Sequence, residues 1–194
     1  RGPILLERWI EEWGFQDRKI YKIVAVEQEL EGLLPNGFRV TGRLDTLIQD
    51  SQGLYYILET KTSSFSITLT LRNLEMGDQP TTYLWLVKKA YPKLRVSGLI
   101  PDIAYWNKEA RSPSNIKCFR GDIVTRSEQD LKDFELYTMD SLEDIARRMQ
   151  AVESGLVPSI MAFGRNTDHC FSYHTRCEYA DICRTRILSI PEGF

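Results

Sequence analysis

Gly42-Arg43-Leu44-Asp45-Thr46-Leu47-Ile48-Gln49-Asp50-Ser51-Gln52-Gly53-Leu54-Tyr55-Tyr56-Ile57-Leu58-Glu59-Thr60-Lys61 is the stretch from which the fold can be read. Phe38 to Gln49 and Leu54 to Lys61 are rich in β-branched, aromatic and aliphatic residues, and the Asp50–Gly53 link between them is turn-like. That pattern predicts a β-hairpin. Side chains alternate faces along a strand, so Glu59 and Lys61 share a side, and pairing through the turn brings Asp45 beside Glu59. Two carboxylates and an ammonium then converge at one point of a sheet.

Phosphodiester hydrolysis needs such a group. Carboxylates hold Mg²⁺ or Mn²⁺ through hard oxygen ligands. The ion polarises the phosphate and generates hydroxide from bound water. A lysine beside it orients that water and stabilises the anionic transition state. The backbone carbonyl of Thr60 could complete the metal shell. The competing reading is a surface ion pair worth under about 1 kcal/mol. Tyr55-Tyr56-Ile57-Leu58 weighs against it, because so apolar a run suits a central strand, where an idle charged pair is out of place.

Outward from the hairpin, apolar spacing over Ile4–Gly14 predicts a helix that Gly14 ends. Ile20 to Leu30 reads as a strand, closing in Glu27, Glu29 and Glu31. Met76 to Ala90 is helical by its spacing, and Leu94 to Trp106 is a strand that Pro101 breaks or places at an edge. Ile116 to Phe119 is a further short strand. Ser127-Glu128-Gln129-Asp130 resembles a capping box opening a long helix that Gly155 ends. Leu131, Phe134, Leu142, Ile145, Met149 and Val152 should line its buried face. The expected architecture is α/β, a single domain over residues 1–194 with a core at about 20–155 and an irregular Cys-bearing tail at 156–194.

Three segments together carry a resemblance. Gly42-Arg43-Leu44-Asp45, then Ile57-Leu58-Glu59-Thr60-Lys61-Thr62, then Gln79-Pro80-Thr81-Thr82-Tyr83 is similar to the RecB-like branch of the PD-(D/E)xK nuclease superfamily. That branch shows G-x-x-D, (D/E)-x-K-T and Q-x-x-x-Y in this order. The resemblance implies a restriction-endonuclease-like core, a central mixed β-sheet flanked by helices. It makes Asp45 and Glu59 ligands of Mg²⁺ or Mn²⁺, Lys61 the catalytic lysine, and Gln79 with Tyr83 a pair facing the active site from one side of a helix. Glu27 stands where a glutamate often precedes G-x-x-D, and is a possible further metal ligand.

The implied activity is DNA hydrolysis, by an exonuclease on single strands or duplex ends in recombination and repair, phage DNA processing or CRISPR adaptation. Helicase or other recombination and adaptation proteins are the implied partners. The alternative is a catalytically weak or inactive DNA-binding module of a larger helicase–nuclease assembly. Many members carry an upstream histidine ligand, whereas no histidine here precedes His169. Glu7, Glu11 or Glu12 could substitute. Because the chain opens on Arg1 rather than Met, it is expected to be a fragment or a processed product.

Four cysteines occur, and Cys170, Cys177 and Cys183 lie within 14 residues beside His169 and His174. In an intracellular protein such clustering points to metal before disulfides. The C-x5-C of Cys177 and Cys183 resembles the end of the iron–sulfur staple of several RecB-like nucleases. Three cysteines would supply three thiolates of a four-iron cluster, with Cys118 or His174 as the fourth ligand. Zinc on Cys₃His would suit the same residues.

Composition is ordinary for a globular chain, with 42% apolar and 27% charged residues. The net charge of −2 does not mark a nucleic-acid binder, but a nuclease needs only a local basic surface. No apolar run reaches the roughly 20 residues that span a bilayer, and no secretory pattern opens the chain, so a cytoplasmic location is expected.

Overall fold

The expected hairpin forms from β2 (Arg39–Asp50) and β3 (Tyr55–Ser63). Its turn is held by the Asp50 carboxylate, which accepts from the Gln52 and Leu54 N–H groups at 2.9 Å each. An Asp side chain that mimics a backbone turn in this way fixes the register of both strands. The computed structural model describes residues 2–64, 66–106, 116–164, 170, 176, 177 and 180.

Five strands form one sheet in the order β1 (Tyr21–Leu33), β2, β3, β4 (Val96–Trp106) and β5 (Ile116–Arg120). Neighbours are antiparallel except β3 and β4, which run parallel. A parallel pair needs a crossover, and α3 (Ile67–Met76) with α4 (Asp78–Ala90) supplies it. Leu86 and Val87 of α4 are fully buried with Leu44, Leu47 and Ile57 of the sheet. Burial of each such side chain contributes roughly 1.5–3 kcal/mol. On the other face, Ile48, Tyr56, Leu58 and Ile100 form a second apolar cluster. Near it lie α1 (Gly2–Trp9), a π-helical turn (Ile10–Gly14) and α2 (Phe15–Ile20).

Several expectations are corrected. Gly14 does not end the first helix: it keeps a right-handed helical backbone, φ −58 and ψ −33, and the chain stays helical to Ile20. α3 was not expected, because its threonines obscure the spacing of Ile67, Leu71 and Leu74. Its start is marked by Ser66, whose hydroxyl accepts from Leu69 N–H. Pro101 neither breaks β4 nor lies at an edge; it is buried inside a strand flanked by β3 and β5. Its carbonyl accepts from Gly121 N–H, so the missing proline N–H faces the β5 side, just beyond the first β4–β5 rung at Asp102 and Arg120.

The capping box is present. Ser127 N–H donates to Asp130 at 2.7 Å and Asp130 N–H to the Ser127 hydroxyl at 3.1 Å. It opens α5 (Glu128–Glu153), and Gly155 closes that helix with φ +73. Of the face expected of α5, Phe134 is buried against Trp85, Leu131, Leu142 and Val152 are half-buried, and Ile145 and Met149 are exposed among the described residues.

The chain forms two compact units, Arg1–Asp140 and Ser141–Phe194. The described part of the second contains the end of α5 and α6 (Ser159–Ala162), joined by the Arg148 guanidinium donating to the Ala162 carbonyl at 2.9 Å. Among the described residues, no helix is long and apolar enough to cross a membrane.

Candidate active site

The β2–β3 ladder ends at the rung Thr46–Leu58, so the two strands part where Asp45 and Glu59 stand. Into that opening Thr60 N–H donates to Asp45 Oδ2 at 2.8 Å. Facing also changes here. Gly32 and Gly42 lie under α4: a Cβ at 42 would meet Leu86 at 2.7 Å and one at 32 would meet Trp85 at 2.3 Å. Yet Val26, Thr46 and Ile48, even-numbered like them, line a cavity of about 560 Å³ with Trp9, Phe15 and Thr60. Strict alternation therefore slips between Val26 and Gly32 on β1 and between Gly42 and Thr46 on β2. Glu27, with a left-handed φ of +48, lies in that stretch, and both it and Asp45 fall between the rungs Val26–Thr46 and Gln28–Leu44. A non-glycine residue held there stores about 1–3 kcal/mol of strain.

Glu59 is 1% exposed, an unusual place for a carboxylate. Its Oε1 meets Lys61 Nζ at 2.5 Å and accepts from Gln79 Nε2 at 2.9 Å. Gln79 Nε2 also donates to the Tyr83 hydroxyl at 3.1 Å, one turn further along α4. Glu59 Oε2 is buried and has no hydrogen-bond partner among the described residues. Burial raises the Glu59 pKa above the usual glutamate value; Lys61 and Gln79 oppose that shift and Asp45 adds to it. A buried acceptor left open, beside a second carboxylate, is a place for a cation.

Asp45, Glu59, Lys61, Gln79 and Tyr83 are thus brought together, with Thr60 between them. Glu27 is directed elsewhere, its carboxylate pairing with Arg43 at 3.1 Å where both side chains are exposed. Glu11 and Glu12 pair with Arg8. The donor set suits a hard divalent ion, with two carboxylates and the Thr60 carbonyl. Among the described residues no group of three or more His, Cys, Asp or Glu side chains is placed to hold a metal. Cys170 and Cys177 are linked by a 2.8 Å bond from Cys177 N–H to the Cys170 carbonyl, and Cys118 lies on β5. His169, His174 and Cys183 lie outside the described residues.

A second buried carboxylate was not foreseen. Asp102, fully buried on β4, pairs in register with Thr60. Its Oδ2 accepts from Trp9 Nε1 at 2.7 Å and Arg120 Nη2 at 3.2 Å. Arg120 also grips Asp17 at 2.6 and 2.5 Å and stacks on the Trp13 ring. The available signal was a lone acidic residue inside the apolar run from Gly98 to Trp106.

The sequence matches the profile of the PD-(D/E)XK nuclease superfamily over residues 3–184. No curated protein matches it significantly. Among solved structures it is similar to the protein SSO0001, at 17% identity and a TM-score of 0.40, over 80% of this chain and 67% of that one. It is also similar to a candidate exonuclease from Eubacterium rectale, at 17% identity and a TM-score of 0.44, over 96% of this chain and 62% of that one.

Proposed function

This chain belongs to the PD-(D/E)XK nuclease superfamily, and on that premise we propose that it is a Mg²⁺- or Mn²⁺-dependent deoxyribonuclease acting as an exonuclease on single strands or duplex ends. The observation that carries the reading is the open oxygen of buried Glu59, held beside Asp45 and Lys61 where β2 and β3 part. Glu59 Oε2, the Asp45 carboxylate and the Thr60 carbonyl would hold the ion. When bound, such an ion supplies Lewis-acid polarisation of the phosphate and a water of lowered pKa.

The chain's own residues do the rest. Gln79 anchors Oε1, which leaves Oε2 as the carboxylate oxygen available to an ion. Lys61, about one-third exposed, reaches both Glu59 and solvent. It can orient an attacking water and offset charge gathering on the phosphate. Tyr83, half-buried, presents its hydroxyl from the same face of α4 as Gln79. The DNA substrate, a role in repair, phage processing or CRISPR adaptation, and helicase-type partners are proposed on the family's behaviour. An iron–sulfur cluster on Cys170, Cys177 and Cys183 is proposed on the tail motif, and iron analysis of the anaerobically purified protein beside Cys177→Ser tests it.

Labelled single- and double-stranded DNA, with and without Mn²⁺, tests the activity. Metal-dependent shortening from an end, lost in Glu59→Gln and Lys61→Ala, is the expected result. Binding without cleavage would favour the reading as an inactive module.

A further inference from the structure

We infer that Arg126 is a positioning residue for this site, holding the elbow between α3 and α4 so that Gln79 reaches Glu59. The inference rests on the reading of Asp45, Glu59 and Lys61 as the reacting group.

Gln79 is the second residue of α4, so its reach depends on where that helix begins. The start lacks a local lock: the N-cap is Gly77, and among the described residues no side chain caps the first turn. The elbow is also tight, since Gly77 N–H donates to the Asn73 carbonyl at 2.9 Å and a Cβ at 77 would stand 2.4 Å from that oxygen. Arg126 closes it from outside. Its Nε donates to the Thr81 hydroxyl at 2.8 Å, and its Nη2 to the Glu75 carbonyl at 2.6 Å and the Gly77 carbonyl at 3.4 Å. Nη1 turns back to the Thr125 carbonyl at 2.9 Å. One planar fork thus joins the end of α3, the N-cap and the first turn of α4. A lysine ammonium, a single point donor, cannot reproduce that geometry.

Arg126 is itself referenced to the sheet. Val124, two residues before it, exchanges both backbone hydrogen bonds with Leu99 of β4, at 2.8 and 2.9 Å. β4 lies beside β3, which carries Glu59, so the elbow and the carboxylate share one frame. Tyr137 adds a second tie, its hydroxyl donating to Asp78 at 2.8 Å. Burial first, and Asp78 next, push that hydroxyl's pKa up to about 12, so it stays a donor at neutral pH. Arg126 touches neither Glu59 nor the space around it in these contacts; its effect passes through Gln79.

The test is a double-mutant cycle of Arg126→Lys with Gln79→Ala, read as kcat and KM on labelled DNA with Mn²⁺. A misplacement of about 1 Å in a site can cost up to about 100-fold. Arg126→Lys should therefore lower kcat about 10-fold or more with little change in KM, and should cost nothing further once Gln79 is alanine. Melting temperature should fall by the same amount in both backgrounds, which separates stability from positioning. An equal kcat loss in both backgrounds, or none in either, would overturn the inference. If the wild-type protein cleaves no nucleic acid, the site reading fails by itself. The Gln79 side-chain amide signals in NMR then still decide the positioning role, shifting to solvent-exposed values in Arg126→Lys if it holds and staying fixed if it does not.

Discussion

Glu59 and Asp102 are two buried carboxylates on adjacent strands, on opposite sides of one sheet, and they are built differently. Asp102 lies in a helix-bound cluster: Trp9 and Arg120 hold one oxygen, Asp17 and the Trp13 ring hold Arg120 in turn, and the other oxygen, like that of Glu59, has no hydrogen-bond partner among the described residues. Glu59 lies at an edge of order: Lys61 and Gln79 hold one oxygen, and the strands part beside it. Burial raises the pKa of both. A raised carboxyl therefore does not separate structure from chemistry. The surroundings do, since Asp102 is locked to distant helices while Glu59 shares its site with Asp45 and a partly exposed lysine.

The largest expected effect separates the two by activity. Glu59→Gln should cut DNA cleavage by about two to three orders of magnitude, the scale for losing an electrostatic stabiliser of the transition state. Asp102→Asn should change kcat little, as the amide still accepts from Trp9. If Asp102→Asn were as inactive as Glu59→Gln, the contrast would be broken.

Stability should reverse the ranking. Asp102→Ala removes one partner of a buried pair, a change that costs about 3–5 kcal/mol where the remaining charge is stranded. Asp17 still holds Arg120, so the lower end applies. That corresponds to a loss of roughly 6–12 °C in melting temperature for a chain of this size. A drop of under about 1 °C would show that the N-terminal helices do not depend on this cluster.

A smaller effect follows from titration. The folded state holds the Glu59 proton more tightly than the unfolded chain, so the unfolded state loses it first as pH rises from the usual glutamate range near about 4.3. Stability assigned to protonated Glu59 is present at acid pH and is lost as pH climbs through the raised value. Cleavage should move the other way, appearing as the carboxylate forms. Melting curves from acid to neutral pH should show wild type losing ground to Glu59→Gln. Parallel curves would mean that burial does not govern this group.

The smallest effect concerns Glu27. Replacement by Asn, which tolerates a left-handed backbone, should change stability by no more than about 0.5–1 kcal/mol. Cleavage should stay within about twofold, because Glu27 pairs with Arg43. A large loss of cleavage in Glu27→Asn would return Glu27 to the metal shell.

What could be read in advance was local. The hairpin, Gln79 with Tyr83 and the Ser127 capping box each depend on residues within one turn, strand or helix, where spacing carries the information. Asp102 depends on Trp9, 93 residues away, and Arg120 on Asp17, 103 residues away. No periodicity links such positions, because tertiary packing chooses them. Pro101 misled for the same reason: its fitness for an inner strand depends on where β5 ends. The threonine-rich α3 was hidden by β-branched residues whose weak helix preference the crossover overrides.

The most direct measurement is anomalous scattering from crystals grown with Mn²⁺. The account predicts a peak bonded to Glu59 and Asp45, with the Thr60 carbonyl within ligand distance. A Mn²⁺-dependent nuclease whose only peak lies away from Glu59 would contradict it.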